Sequence, residues 1–182
     1  LANKQIQQTQ DKQKAIELLG REPRTPFIIK TRCSDGMPQV LLADPVFCED
    51  NIWKPFPTFL WLVCPELKIK AAHLEQDGLI TEFSQRLSQD EAFREEFLLG
   101  QEEIRSLRLK MAKEIYENFG ELPKHISSIL QNTTIAGSKD YHGVKCLHAH
   151  LAQELAYGNN IIGREVLAIT GNCTGQHERT RQ

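Results

Sequence analysis

The sequence predicts an α+β fold: a small antiparallel three-stranded sheet from about residue 26 to residue 64, covered by a mostly helical C-terminal two-thirds. Three observations carry that reading. Two β-rich runs, 27–33 and 39–43, flank Ser34-Asp35-Gly36, and an Asp-Gly pair between such runs signals a hairpin. The run from Thr58 to Cys64 is apolar after its first residue, as expected of a strand buried on both faces, and is read as the central strand. From Pro65 onward, apolar residues recur at helical spacing.

Taken in order, residues 9–19 form a short helix with Ala15, Ile16 and Leu19 on one side and Gly20 as its stop. Residues 1–8 fray ahead of it. After the first hairpin, residues 44–54 read as a loop carrying Cys48 and Trp53. Pro55-Phe56-Pro57 then forces an extended backbone into the apolar strand. Pro65 suits a first helical turn, and that helix stops at Asp77-Gly78. A short helix with Ile80, Phe83 and Leu87 follows.

Ser88-Gln89-Asp90-Glu91 has the form of a capping box and opens the longest helix, roughly 90–118. Its stripe, Phe93, Phe97, Gly100, Ile104, Leu107, Met111 and Ile115, is nearly heptad, so it faces either the core or a partner. Residues 121–130 make another short helix, 131–143 a polar turn-rich stretch, and 164–169 a last helical turn. Residues 24–170 are read as one domain, 1–23 as a helical extension and 171–182 as a polar tail with too little apolar content to order itself.

Among the 182 residues, 40% are hydrophobic and 25% charged, enough for an ordinary core. A net charge of −2 argues against nucleic acid and anionic membranes as partners, leaving a small molecule or a protein. The longest apolar run has six residues, far short of the roughly 20 a membrane helix needs. Five scattered cysteines suit thiols in a reducing cytoplasm better than a disulfide framework.

The densest chemistry lies in Gly143-Val144-Lys145-Cys146-Leu147-His148-Ala149-His150-Leu151. On a continuous helix at about 100° per residue, His148 shares the apolar face with Val144, Leu147, Leu151 and Leu155. Cys146, His150, Gln153 and Tyr157 take the opposite face. Cys146 and His148 then serve one site only if the helix begins at about Leu147, and that later start is favoured by the turn-rich segment before it.

Three chemistries follow. Zinc takes Cys and His ligands, and Cys33, Cys64, Cys146, Cys173, His148, His150 and His177 are the candidates. A cysteine in a first helical turn is an activated nucleophile, with His148 or His150 as its base and a small anionic substrate as its target. Arg32 and Lys145 are the candidate anion-binding groups. The site reading places Cys33, Cys64, Cys146 and His148 around one cleft. The competing reading is a noncatalytic interaction module built on the 90–118 helix.

Several segments also carry a family resemblance: Arg32-Cys33, Pro55-Phe56-Pro57-Thr58, Cys64-Pro65, Leu74-Glu75-x-x-Gly78, Val144–His150, and Gly158-Asn159 through Gly163. Together they resemble a bacterial family catalogued as a domain of unknown function, number five hundred and one, over roughly residues 24–170. The chain departs from that pattern at Ser34-Asp35, where a proline is expected behind the cysteine, and at Gln153, where a histidine is expected. The resemblance implies boundaries and candidate residues, and it brings no activity with it.

Overall fold

The computed structural model describes residues 2–139, 141 and 143–175, with side chains from residue 9 onward. Its α+β architecture agrees with the sequence reading. Strands β1 (Phe27–Arg32), β2 (Pro38–Ala43) and β5 (Leu60–Leu62) form an antiparallel sheet in the order β1-β2-β5. The register pairs Phe27 with Ala43 and Ile29 with Leu41 on one side of β2, and Val40 with Leu62 and Leu42 with Leu60 on the other.

The central strand is therefore β2, and the apolar run lies at an edge, contrary to expectation. Its hydrophobicity has another cause. Leu60 and Leu62 face the main core with Val40, while Trp61 and Val63 face a second cluster with Leu41, Ala15 and Leu18. Alternating residues are thus covered by different helices, and burial on both faces needs no strand on both sides.

The first of those covers is α1 (Ala2–Leu19), which begins earlier than the sequence suggested. Its Gln- and Lys-rich start favours helix by intrinsic propensity, without an apolar stripe to reveal it. A second correction falls on residues 44–54. They fold as a hairpin, β3 (Val46–Glu49) paired with β4 (Ile52–Pro55). Its turn residues Asp50 and Asn51 have φ of 52° and 60°, the left-handed pair of a type I′ turn made here without glycine. Trp53 packs edge-on against Tyr116 and Phe119.

Helices α2 (Pro65–Gln76), α3 (Leu79–Gln89) and α4 (Glu91–Tyr116) lie close to their expected bounds. The cap of α4 is Asp90, which accepts from the Phe93 amide at 3.0 Å. Ser88 is no capping-box residue: it sits in the last turn of α3 and donates to the Gln85 carbonyl. The α4 stripe is packed inside the chain, with Phe93, Phe97 and Ile104 buried and Leu107 and Met111 against the main core. That burial counts against an interaction module built on this stripe, although Leu98 and Leu99 of the same helix are exposed.

Helix α5 (Lys124–Gln131) starts three residues later than expected, after a 3₁₀ turn and Pro123. The stretch after it is polar yet well packed: Thr133, Thr134 and Ile135 are buried. Helix α6 (Leu147–Tyr157) ends on Gly158 in the left-handed region. Helix α7 (Ile161–Thr170) is longer than the single turn foreseen, because Asn160 caps it by accepting from the Gly163 amide at 2.8 Å.

Candidate functional site

Three cysteines from distant segments meet in the core: Cys33, Cys64 and Cys173 are 6%, 0% and 7% exposed, and their sulfurs lie within 4.8 Å of one another. Cys33 follows β1 in a tight turn, its amide donating to the Met37 carbonyl and its carbonyl accepting from Gly36. Cys64 is the N-cap position of α2, where Pro65 fixes the first turn. Cys173 returns after α7, so the start of the tail is ordered, although it comes to Cys33 and Cys64 and not to Cys146.

Glu66 in the first turn of α2 fastens that return. It accepts from the Cys173 thiol at 3.4 Å and from the Thr174 amide at 2.9 Å. Gly175, at φ 76°, passes so close to the 34–35 turn that a Cβ would lie 3.0 Å from Ser34 Oγ. Hydrogen bonding with Cys64, burial and the nearby Cys173 push the Cys33 thiol well above the ordinary range. Burial pushes Cys173 up to about 11. Without a cation, the Cys33 and Cys173 thiols in this dry pocket stay protonated; a bound metal reverses that.

A second group gathers at the other end of α2. Helix α6 does start at Leu147, with Cys146 extended at φ −158°, so the favoured later start holds. Freed from helical geometry, Cys146 Sγ comes to 3.8 Å from His148 Nδ1. The same nitrogen lies 3.0 Å from Glu75 Oε1, and His148 Nε2 lies 3.0 Å from the Lys68 carbonyl. Glu75 Oε1 also accepts from the Leu147 amide at 2.7 Å. The hydrogen bond with Cys146 raises the His148 pKa, burial opposes it and Glu75 adds to it, giving about 9.

In the sequence, Glu75 stands out only as part of the Leu74-Glu75-x-x-Gly78 motif. One signal was available: an acid in the last turn of a helix opposes the dipole and asks for a reason.

The expected single cleft is therefore two clusters with no shared residue: Cys33, Cys64 and Cys173 in one, and Glu75, Cys146 and His148 in the other. His150 belongs to neither. It is 1% exposed and receives the Asn160 amide at Nδ1, so it is not placed as a base for Cys146. Burial lowers its pKa to about 4. Gln153, expected on a face away from the core, is also buried, holding the Gly100 carbonyl and the Asn159 side chain. The polar face of α6 is thus packed against α4 as its apolar face is packed elsewhere.

Arg32 is engaged with Asp11 of α1 at 2.7 Å and with the Gly36 carbonyl. Lys145 is exposed just before α6. His177 lies outside the described residues. Among the described residues, no helix is long and apolar enough to cross a membrane.

Searches of curated proteins and of solved structures found no match to this chain. The family described as "Protein of unknown function (DUF501)" matches residues 29–168, a span that holds Cys33, Cys64, Glu75, Cys146 and His148 and ends before Cys173. With most of its length inside that match, the chain belongs to the DUF501 family.

Proposed function

We propose that this is a soluble metal-binding protein of the bacterial cytoplasm that holds zinc on the sulfurs of Cys33, Cys64 and Cys173. The observation that supports it is the convergence of three buried sulfurs from a hairpin turn, a helix start and a C-terminal return. Tetrahedral zinc with Zn–S bonds of about 2.3 Å sets sulfur–sulfur edges of about 3.8 Å, within small side-chain adjustments of this cluster. Thiolates suit zinc, as they suit Cu(I) and iron–sulfur clusters.

The role of such a centre is structural first. It joins the sheet, α2 and the C-terminal segment, and its binding energy becomes folding energy. A fourth position remains for water or another ligand. The net charge of −2 and the lack of a basic cluster in the sequence favour a partner other than nucleic acid.

The test is elemental analysis of reduced, purified full-length chain beside its Cys64→Ser variant. The variant should lose one equivalent of zinc and melt at a lower temperature. Equal zinc content in both proteins would overturn the reading.

A further inference from the structure

The Glu75–Cys146–His148 group has the hallmarks of a metal site of a different kind. The Lys68 carbonyl can only accept, so at 3.0 Å it assigns the hydrogen of His148 to Nε2. Nδ1 is then the nitrogen that faces the cluster, protonated while His148 is an imidazolium and a lone pair once a metal displaces that proton. It meets Glu75 Oε1 at 3.0 Å and Cys146 Sγ at 3.8 Å, and the three atoms all lie within 4.8 Å of one another. An imidazole nitrogen, a carboxylate oxygen and a sulfur aimed at one point are held together either by a shared proton or by a metal ion that replaces it.

The spacing suits a particular cation. Zinc bonds of roughly 2.0–2.1 Å to nitrogen and oxygen and roughly 2.3 Å to sulfur give tetrahedral edges of about 3.3 to 3.7 Å. The surroundings also suit it. A backbone carbonyl on the far imidazole nitrogen is the usual support of a metal-bound histidine. The Leu147 amide, 2.7 Å from Glu75 Oε1, orients the carboxylate in the same way.

We propose that Glu75, Cys146 and His148 form a second metal site, for zinc or another borderline divalent ion, distinct from the three-cysteine centre. The side chains of His148 and Glu75 are 27% and 25% exposed, so the fourth corner opens toward solvent. Three protein ligands and one open corner are the arrangement in which zinc takes a water or a substrate oxygen. The two centres are not one binuclear site. Cys64 and Glu75 are eleven residues apart on α2, roughly 16 Å of helical rise, against roughly 4 Å between the ions of a two-metal centre.

Metal-stripped, reduced full-length protein is titrated with Zn²⁺ and, for its spectrum, with Co²⁺. The wild type should bind two equivalents, and His148→Ala and Glu75→Gln one each. Glu75→Gln keeps an oxygen for the Leu147 amide, so it reports on binding even if His148→Ala fails to fold, which circular dichroism shows. Cys64→Ser should retain this site, with a thiolate-to-cobalt band about a third as strong as that of the three-sulfur centre. Equal stoichiometry in wild type, His148→Ala and Glu75→Gln would mean that a proton, not a metal, occupies the point, and would overturn the proposal. A single equivalent lost in His148→Ala but kept in Cys64→Ser would sustain this site and remove the three-cysteine centre instead.

Discussion

Asn160 donates its side-chain amide to Nδ1 of His150 across 3.0 Å, where both residues are 1% exposed. The same amide donates to Gln153 Oε1 at 2.8 Å, and Asn160 Oδ1 accepts from the Gly163 amide at 2.8 Å. One side chain therefore caps α7, fixes the tautomer of His150 and closes a buried network between α6 and α4.

Asn160→Asp separates these roles. Aspartate caps a helix as well as asparagine does, but it turns a carboxylate oxygen toward two acceptors, Gln153 Oε1 and His150 Nδ1. The variant should lose about 2–4 kcal/mol, the cost of buried polar groups left unpaired. Urea denaturation measures it; a loss below about 1 kcal/mol would show that only the cap matters.

Arg108 supports a second prediction. It is 0% exposed, and its guanidinium donates to the carbonyls of Pro57 at 2.9 Å and Thr133 at 2.7 Å, and also to those of Leu130 and Thr134. Burial brings its pKa down to about 10, still high enough to keep the charge at neutral pH. The planar fork ties α4 to the end of α5, the polar stretch after it and the segment leading to β5. Arg108→Leu should cost about 3–5 kcal/mol, and Arg108→Lys most of that, because one ammonium cannot reach four carbonyls. A lysine variant as stable as the wild type would show that charge, not the fork, is what the site needs.

Much of this was legible in the sequence, and the misses share a cause. Helices α2, α3 and α4 could be read because periodicity and Pro65 agree locally, although the α4 cap expected at Ser88 is supplied by Asp90. The edge position of β5 could not, because what covers Trp61 and Val63 is α1, some fifty residues away in sequence. The β3–β4 hairpin was hidden because Asp50-Asn51 takes two left-handed residues without the glycine that usually announces them. Cys33, Cys64, Cys146, Cys173 and His148 were visible as reactive side chains. Their division into two groups was not, since it depends on where α2 runs. His150 looked like a partner of Cys146 until packing against α4 claimed it for Asn160.

Gly163 lies where α7 approaches α6 closely. A Cβ there would collide with the His150 carbonyl and lie 2.7 Å from Glu154 Cβ. Alanine gains up to about 1 kcal/mol of helix propensity over glycine, yet overpacking against backbone costs about 1–3 kcal/mol. Gly163→Ala should therefore destabilise the protein despite its better propensity. Thermal melting gives the sign directly, and a raised melting temperature would contradict the close contact.

The last prediction concerns Glu66 and the C-terminal return. Its Oε2 accepts from the Cys173 thiol, the Thr174 amide and the Thr174 hydroxyl, and its Oε1 accepts from Lys70 at 2.7 Å. Lys70 also reaches the Thr170 carbonyl at 2.9 Å. Glu66→Ala removes the acceptor shared by these groups while leaving the main core intact. Local opening of residues 171–175 should then become cheaper with little change in global stability. We expect cleavage by a nonspecific protease in that segment to speed up about tenfold, with denaturant stability within about 1 kcal/mol of wild type. Added zinc should slow the cleavage again if Cys173 is a ligand, because a metal that binds only the ordered segment opposes its opening. Cleavage at the wild-type rate would mean that contacts other than Glu66 hold Cys173 beside Cys33 and Cys64.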